Sequence, residues 1–180
     1  YYLYEDILLV DTEGKIDLSL NNIVDRLSDA TLAQLAIAFK ERKPIIVDFH
    51  HPPDSQSHHP HLDVIAPLFI QEKGTEQALG AVVLCIDPSD YLYPLIQSWP
   101  VPSDSAETLL VRSDGDDVLF LNDLRFREDA AMKLRISLGW ETVPTVMAVL
   151  GKEGIVQGRD YHGVEVLAFL KHIPDSPWYM

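Results

Sequence analysis

An internal repeat constrains this chain more than any other feature. Ile7-Leu-Leu-Val-Asp-Thr-Glu-Gly-Lys-Ile-Asp-Leu-Ser-Leu-Asn21 lies over Thr108-Leu-Leu-Val-Arg-Ser-Asp-Gly-Asp-Asp-Val-Leu-Phe-Leu-Asn122 at a constant offset of 101 residues without a gap. Seven of the fifteen positions are identical: Leu8/Leu109, Leu9/Leu110, Val10/Val111, Gly14/Gly115, Leu18/Leu119, Leu20/Leu121 and Asn21/Asn122. Each copy spells an apolar strand, a turn with an acidic residue before glycine, and a second strand, which predicts a β-hairpin. Two modules opening on the same hairpin divide the 180 residues at the proline-rich joint Trp99-Pro-Val-Pro-Ser103. The expected domains are 1 to about 100 and about 105 to 180.

After its hairpin the first module predicts a helix, because Leu27, Leu32, Leu35, Ala36 and Phe39 recur near the 3.6 period behind a Ser28-Asp29 capping signal. Pro44 ends it. Strands follow at 44–50, 62–71 and 79–87, rich in β-branched and aromatic residues, and a short helix at 91–98. The second module predicts a hairpin at 107–122, a polar helical middle over 128–151, strands at 154–158 and 164–173, and a last strand from Trp178. The fold class is α+β with mainly antiparallel sheet.

Composition narrows the function. With 47% hydrophobic residues the chain folds, and 14 Lys plus Arg against 28 Asp plus Glu leave a formal charge of −14, which repels phosphate backbones and anionic headgroups. Nucleic acid is not an expected partner. Cys85, the single cysteine, sits in the apolar run 78–86 and reads as a small core hydrophobe. That run is half of what a membrane-spanning helix needs. The chain opens on Tyr1 and closes on the first residues of a strand, so it is expected to be a piece of a longer protein.

A five-stranded antiparallel sheet entered by a hairpin, with helices after its second strand, resembles the PAS-like sensor modules, and two in tandem resemble the double Cache domain of bacterial receptors. The motifs Tyr91-Leu-Tyr-Pro-Leu-Ile-Gln-Ser-Trp-Pro100, Glu107-Thr-Leu-Leu-Val-Arg112, Val118-Leu-Phe-Leu-Asn-Asp-Leu-Arg125, Gly158-Arg-Asp-Tyr-His-Gly-Val-Glu-Val-Leu167 and Ile173-Pro-Asp-Ser-Pro-Trp178 are similar to the sensor region of membrane-anchored histidine kinases and diguanylate cyclases. The resemblance implies two PAS-like modules, each a mainly five-stranded antiparallel sheet flanked by helices. It further implies a periplasmic or extracellular sensor with no catalysis and no cofactor of its own, an unidentified small-molecule ligand, and a homodimeric parent. Membrane contact would come only through segments outside this sequence.

Candidate site residues are few. By period-two alternation Ile46, Asp48 and His50 share one face of the third strand, and a carboxylate and an imidazole on a mostly buried strand must be hydrogen-bonded or ligand-facing. Asp48 and His50, with Asp63 on the adjoining strand, are the leading ligand residues. An acidic module favours a cationic, zwitterionic or neutral ligand unless Arg42 or Lys43 turns inward. Arg125, Arg159, Asp160 and Tyr161 are weaker candidates in the second module, where a turn held by its own hydrogen bonds is the alternative. Asp48 to Asp63 also holds five of the seven histidines. His58, His59 and His61 could ligate a metal, which keeps open a metal-dependent hydrolase built on the His50–His61 cluster, although the spacing matches no compact zinc signature. A ligand-free structural dimerisation module is the third possibility.

Overall fold

The structure, a computed structural model, describes residues 4–53, 60–72, 74–98 and 105–180. The chain divides into two compact units, Tyr1–Leu92 and Tyr93–Met180.

The first unit is one antiparallel sheet of five strands in the order β2-β1-β5-β4-β3, with β1 Asp6–Val10, β2 Ile16–Ser19, β3 Ile45–His50, β4 His61–Glu72 and β5 Thr75–Ile86. Helix α1, Asp29–Glu41, connects β2 to β3. Its start follows from Ser28, whose hydroxyl accepts the Thr31 N–H at 3.0 Å, and it stops at Arg42, where the backbone turns left-handed at φ 57°. The buried face of α1 is Thr31, Leu35 and Ala38. Leu32 and Ala36, expected inward, are exposed. The helix and the sheet enclose Leu8, Val10, Val47, Ile65, Ala81 and Val83. β4 and β5 pair over eleven positions, from Leu62↔Ile86 to Glu72↔Thr75. This hairpin is longer than its apolar run, because polar residues 75–77 continue the ladder beyond the core.

The second unit holds β6 Val111–Asp114, β7 Asp117–Phe120, β8 Arg135–Ser137, α3 Pro144–Val149, β9 Gly154–Arg159, β10 Glu165–Leu170 and β11 Trp178–Tyr179. A short helix α2, Leu92–Gln97, begins at the end of the first unit, and Tyr93 donates its hydroxyl proton to the Leu121 carbonyl at 2.6 Å. The expected five-stranded sheet is replaced by a four-stranded sheet, β11-β6-β7-β8, and a two-stranded one, β10-β9. Backbone bonds between Lys171 and Met180 and from Ile173 to Trp178 tie the end of β10 to β11. The expected helix over 128–151 is mostly turns and β8. Asp129 and Met132 take positive φ, which an α-helix cannot absorb, and only the six residues from Pro144 are helical. Val111, Val118, Phe120, Leu124, Ile136 and Val146 form this unit's core.

The two repeat copies fall in separate sheets. Their second strands coincide at the offset of 101, Ile16–Ser19 against Asp117–Phe120, but their first strands do not. In the first unit Leu8 pairs with Ser19, whereas in the second Val111 pairs with Phe120, a shift of two residues. The turns explain it: Gly115, at φ 65°, sits in a two-residue loop between paired Asp114 and Asp117, while Asp11 Oδ1 holds a wider turn by accepting from Glu13 N and Lys15 N. β2 is a sheet edge and β7 is flanked on both sides, so Leu18 is 55% exposed where Leu119 is 1% exposed.

Candidate ligand-binding site

The β3–β4 pair decides which polar side chains meet. Val47 lies opposite Asp63, but His50 lies opposite His61, so three steps along β3 match two along β4. One residue is extra, which is a β-bulge. The bulge breaks the alternation that would have kept Asp48 and His50 together. His50 joins His61 and Asp63 on the face turned to α1, and Asp48 closes locally, its Oδ1 accepting the Phe49 N–H at 2.7 Å.

On that face the N-terminal turn of α1 meets the sheet through a chain of short contacts. Thr31 donates its hydroxyl proton to Asp63 Oδ2 at 2.5 Å. Because Thr31 has one hydroxyl proton, the 2.7 Å contact with Ser28 Oγ must be donated by Ser28. His50 Nε2 stands 3.4 Å from Asp63 Oδ2, with the two side chains 11% and 7% exposed. Its Nδ1 stands 3.0 Å from the Asp48 carbonyl oxygen. Burial pulls the His50 pKa down, but the Asp63 hydrogen bond and charge, together with Asp48, outweigh it and leave the pKa raised.

A second imidazole–carboxylate pair lies on the same strand. His61 Nδ1 is 3.0 Å from Glu5 Oε2, within ion-pair range, although that oxygen is buried without an aligned hydrogen-bond donor. Burial, and then the charges of Asp87, Asp90, Asp6 and Asp63, raise the Glu5 pKa. Negative charge is therefore in excess at this end of the unit. Cys85 sits in the same row, and burial with the nearby Asp63 and Asp6 charges pushes its thiol far up, so it is no nucleophile. The cations that could turn inward are engaged elsewhere, Arg42 and Lys43 at the opposite end of α1 from Thr31. Arg42 pairs with Glu76 and lies 4.5 Å over the Phe69 ring, Lys43 pairs with Glu41 at 2.7 Å, and Arg26 donates to the Pro53 carbonyl at 2.9 Å.

Of the residues singled out in the sequence, His50 and Asp63 meet, and Asp48 meets the His50 ring through its backbone oxygen. His58 and His59 lie outside the described residues, and His61 is paired with Glu5. Among the described residues no group of three or more His, Cys, Asp or Glu side chains is placed to hold a metal ion. Thr31 and Glu5 carry no sequence signal: Thr31 is a polar residue on an apolar helix face, and Glu5 precedes the first strand.

The weaker candidates all lie in the second unit. Tyr161 donates to Glu107 Oε1 at 2.8 Å and packs edge-on against Phe120. Asp160 Oδ1 accepts from His162 N and Val164 N and so shapes the β9–β10 turn. Arg125 donates to the Ala106 carbonyl at 3.0 Å. Arg159 is largely exposed, 4.0 Å from Glu165. It borders two open clefts of about 460 and 420 Å³ that share Thr142.

No helix among the described residues is long and apolar enough to cross a membrane. No protein-family model and no curated protein matches the sequence. Solved structures match the fold. The ligand binding domain of Mlp24 with asparagine superposes with a TM-score of 0.57 at 15% identity over 98% of this chain and 66% of its own. The ligand binding domain of the Pseudomonas aeruginosa PAO1 amino acid chemoreceptor PctB, in complex with L-Gln, gives 0.59 at 15% identity, over 98% and 66%. That of PctC from the same organism, in complex with GABA, gives 0.56 at 16% identity, over 98% and 72%. This chain thus spans about two thirds of the length of these domains, and it has their mainly antiparallel, PAS-like Cache-type fold.

Proposed function

We propose that this chain is an extracytoplasmic sensor domain that binds a small molecule carrying a protonated amine and performs no reaction on it. The observation that carries the reading is Asp63: a carboxylate 5% exposed, held by Thr31 and facing His50, amid an excess of carboxylates. An ammonium group complements that charge. The asparagine, L-Gln and GABA named in the similar structures each carry both an ammonium and a carboxylate group, which supports the same ligand class. Asp63 and His50 are the proposed contacts, with Asp48 holding the imidazole.

In this reading the two compact units are tandem PAS-like modules, the first binding and the second transmitting. The parent is a homodimeric receptor anchored in the inner membrane, its sensor on the periplasmic side, with a histidine kinase or diguanylate cyclase output. The clefts beside Arg159 favour a second reading, in which the second unit takes a ligand by its carboxylate. The test is thermal denaturation of the purified chain against amino acids and amines. A ligand selective for the folded state raises the melting temperature, and the rise grows with the logarithm of its concentration above Kd. The expected result is stabilisation by at least one amine that Asp63→Asn abolishes. Stoichiometric zinc by elemental analysis, lost with His61→Ala, would instead favour the hydrolase, and no stabilisation by any compound would favour the structural module.

A further inference from the structure

Both nitrogens of the His50 ring face oxygen. Nδ1 is 3.0 Å from the Asp48 carbonyl oxygen, and Nε2 is 3.4 Å from Asp63 Oδ2 and 3.5 Å from Thr31 Oγ1. The Thr31 proton is committed to Asp63, so Thr31 presents only an acceptor to the ring. Each neutral tautomer of His50 leaves one lone pair facing an oxygen, and only the imidazolium donates at both ends. The groups around it come from every neighbouring element: Asp63 and His61 on β4, Thr31 on α1, Asp48 and His51 on its own segment, with Asp6 on β1, Cys85 on β5, and Glu5 before β1 beyond them. The raised His50 pKa agrees with that geometry. While His50 is protonated, Asp63 is already neutralised from within.

From this geometry, and resting on the ligand reading above, we propose that the site exchanges a proton for its ligand: a protonated amine takes Asp63 from the His50 imidazolium, and His50 releases its Nε2 proton to solvent. The balance closes, because one cation enters and one proton leaves while the Asp63 carboxylate keeps its charge. Only the His50 Nε2–H bond breaks. The ligand class is therefore an amine that is itself protonated at the working pH. Its apparent affinity rises about tenfold per pH unit below the His50 pKa and levels off above it. Acidification empties the site.

The experiment is isothermal titration of the whole chain with L-glutamine, L-asparagine and GABA, at pH 6 and 8.5, in buffers of different ionisation enthalpy. The result expected is release of protons on amine binding at pH 6 that diminishes at pH 8.5, with His50→Gln releasing none at pH 6. Binding without proton release at pH 6, or equal release by His50→Gln, overturns the exchange and leaves the ligand reading standing. Failure of all three amines to bind at pH 8.5 overturns both. Because His50→Gln also changes the packing, nuclear magnetic resonance of the wild-type imidazole gives an independent readout. Saturating amine should lower the His50 titration midpoint by about one pH unit or more, and an unmoved midpoint overturns the proposal.

Discussion

Thr31 on α1 and Asp63 on β4 are joined across the helix–sheet interface by a 2.5 Å hydrogen bond, and this contact sets the proposed ligand carboxylate in place. Thr31 is fully buried. Thr31→Val keeps the shape and removes the donor, leaving Asp63 short of a partner, at an expected cost of about 1–3 kcal/mol in urea denaturation. Thr31→Ser keeps the hydroxyl and loses one methyl group, for about 1 kcal/mol or less. Equal costs for the two variants would contradict the role given to the hydrogen bond.

Asp6 governs the acid limit of stability. Its carboxylate is 0% exposed, and burial alone would raise its pKa. The Ser19 hydroxyl at 2.6 Å and the backbone N–H groups of Asn21, Ile23 and Val24 outweigh that and hold it lowered from 3.8 to about 2. A lowered carboxylate contributes stability that is fully present above its unfolded value and fades as pH falls from about 4 towards 2. The contribution is about 2 kcal/mol. Asp6→Asn should flatten that limb of the pH–stability curve, and an unchanged slope between pH 4 and 2 would count against it.

Much of this architecture is legible in the sequence because it is local. Gly14 and Gly115 mark both hairpin turns, Ser28 caps α1, and the strand runs of the first unit lie close to where their composition puts them. What is not legible depends on pairing. A hydrophobic alternation cannot show that one residue of β3 is extra, so the bulge that separates Asp48 from His50 is invisible until β4 is laid beside it. Thr31 is missed for a related reason: the helical period reports apolar residues, and a buried threonine looks like a gap in the stripe. In the second unit, residues 128–151 have a helix-compatible composition, yet Asp129 and Met132 adopt left-handed backbone that no propensity predicts.

Gly80 on β5 lies close against the backbone of β1. A Cβ there would run into the Val10 carbonyl oxygen on β1. Gly80→Ala is expected to push β5 from β1 and cost about 1–3 kcal/mol by denaturant unfolding. A neutral substitution would mean that the strands are not so closely apposed.

Tyr161 serves the fold of the second unit. Removing its hydroxyl in Tyr161→Phe breaks the 2.8 Å bond to Glu107 while leaving the ring against Phe120. The expected loss is about 1 kcal/mol of stability, with amine binding unchanged. Weakened binding would move the site to the second unit.

The most direct test of the central claim is a titration calorimetry comparison of Asp63→Asn and Arg159→Ala against the unaltered chain, with the amine that binds it best. Asp63 is held at the end of the first sheet by Thr31 and His50, and Arg159 borders the clefts of the second unit. Loss of a charge-assisted contact costs about 1.5–3 kcal/mol, so Asp63→Asn should bind at least about tenfold more weakly, while Arg159→Ala should bind as the unaltered chain does. The reverse pattern, with affinity lost in Arg159→Ala and kept in Asp63→Asn, would contradict the account.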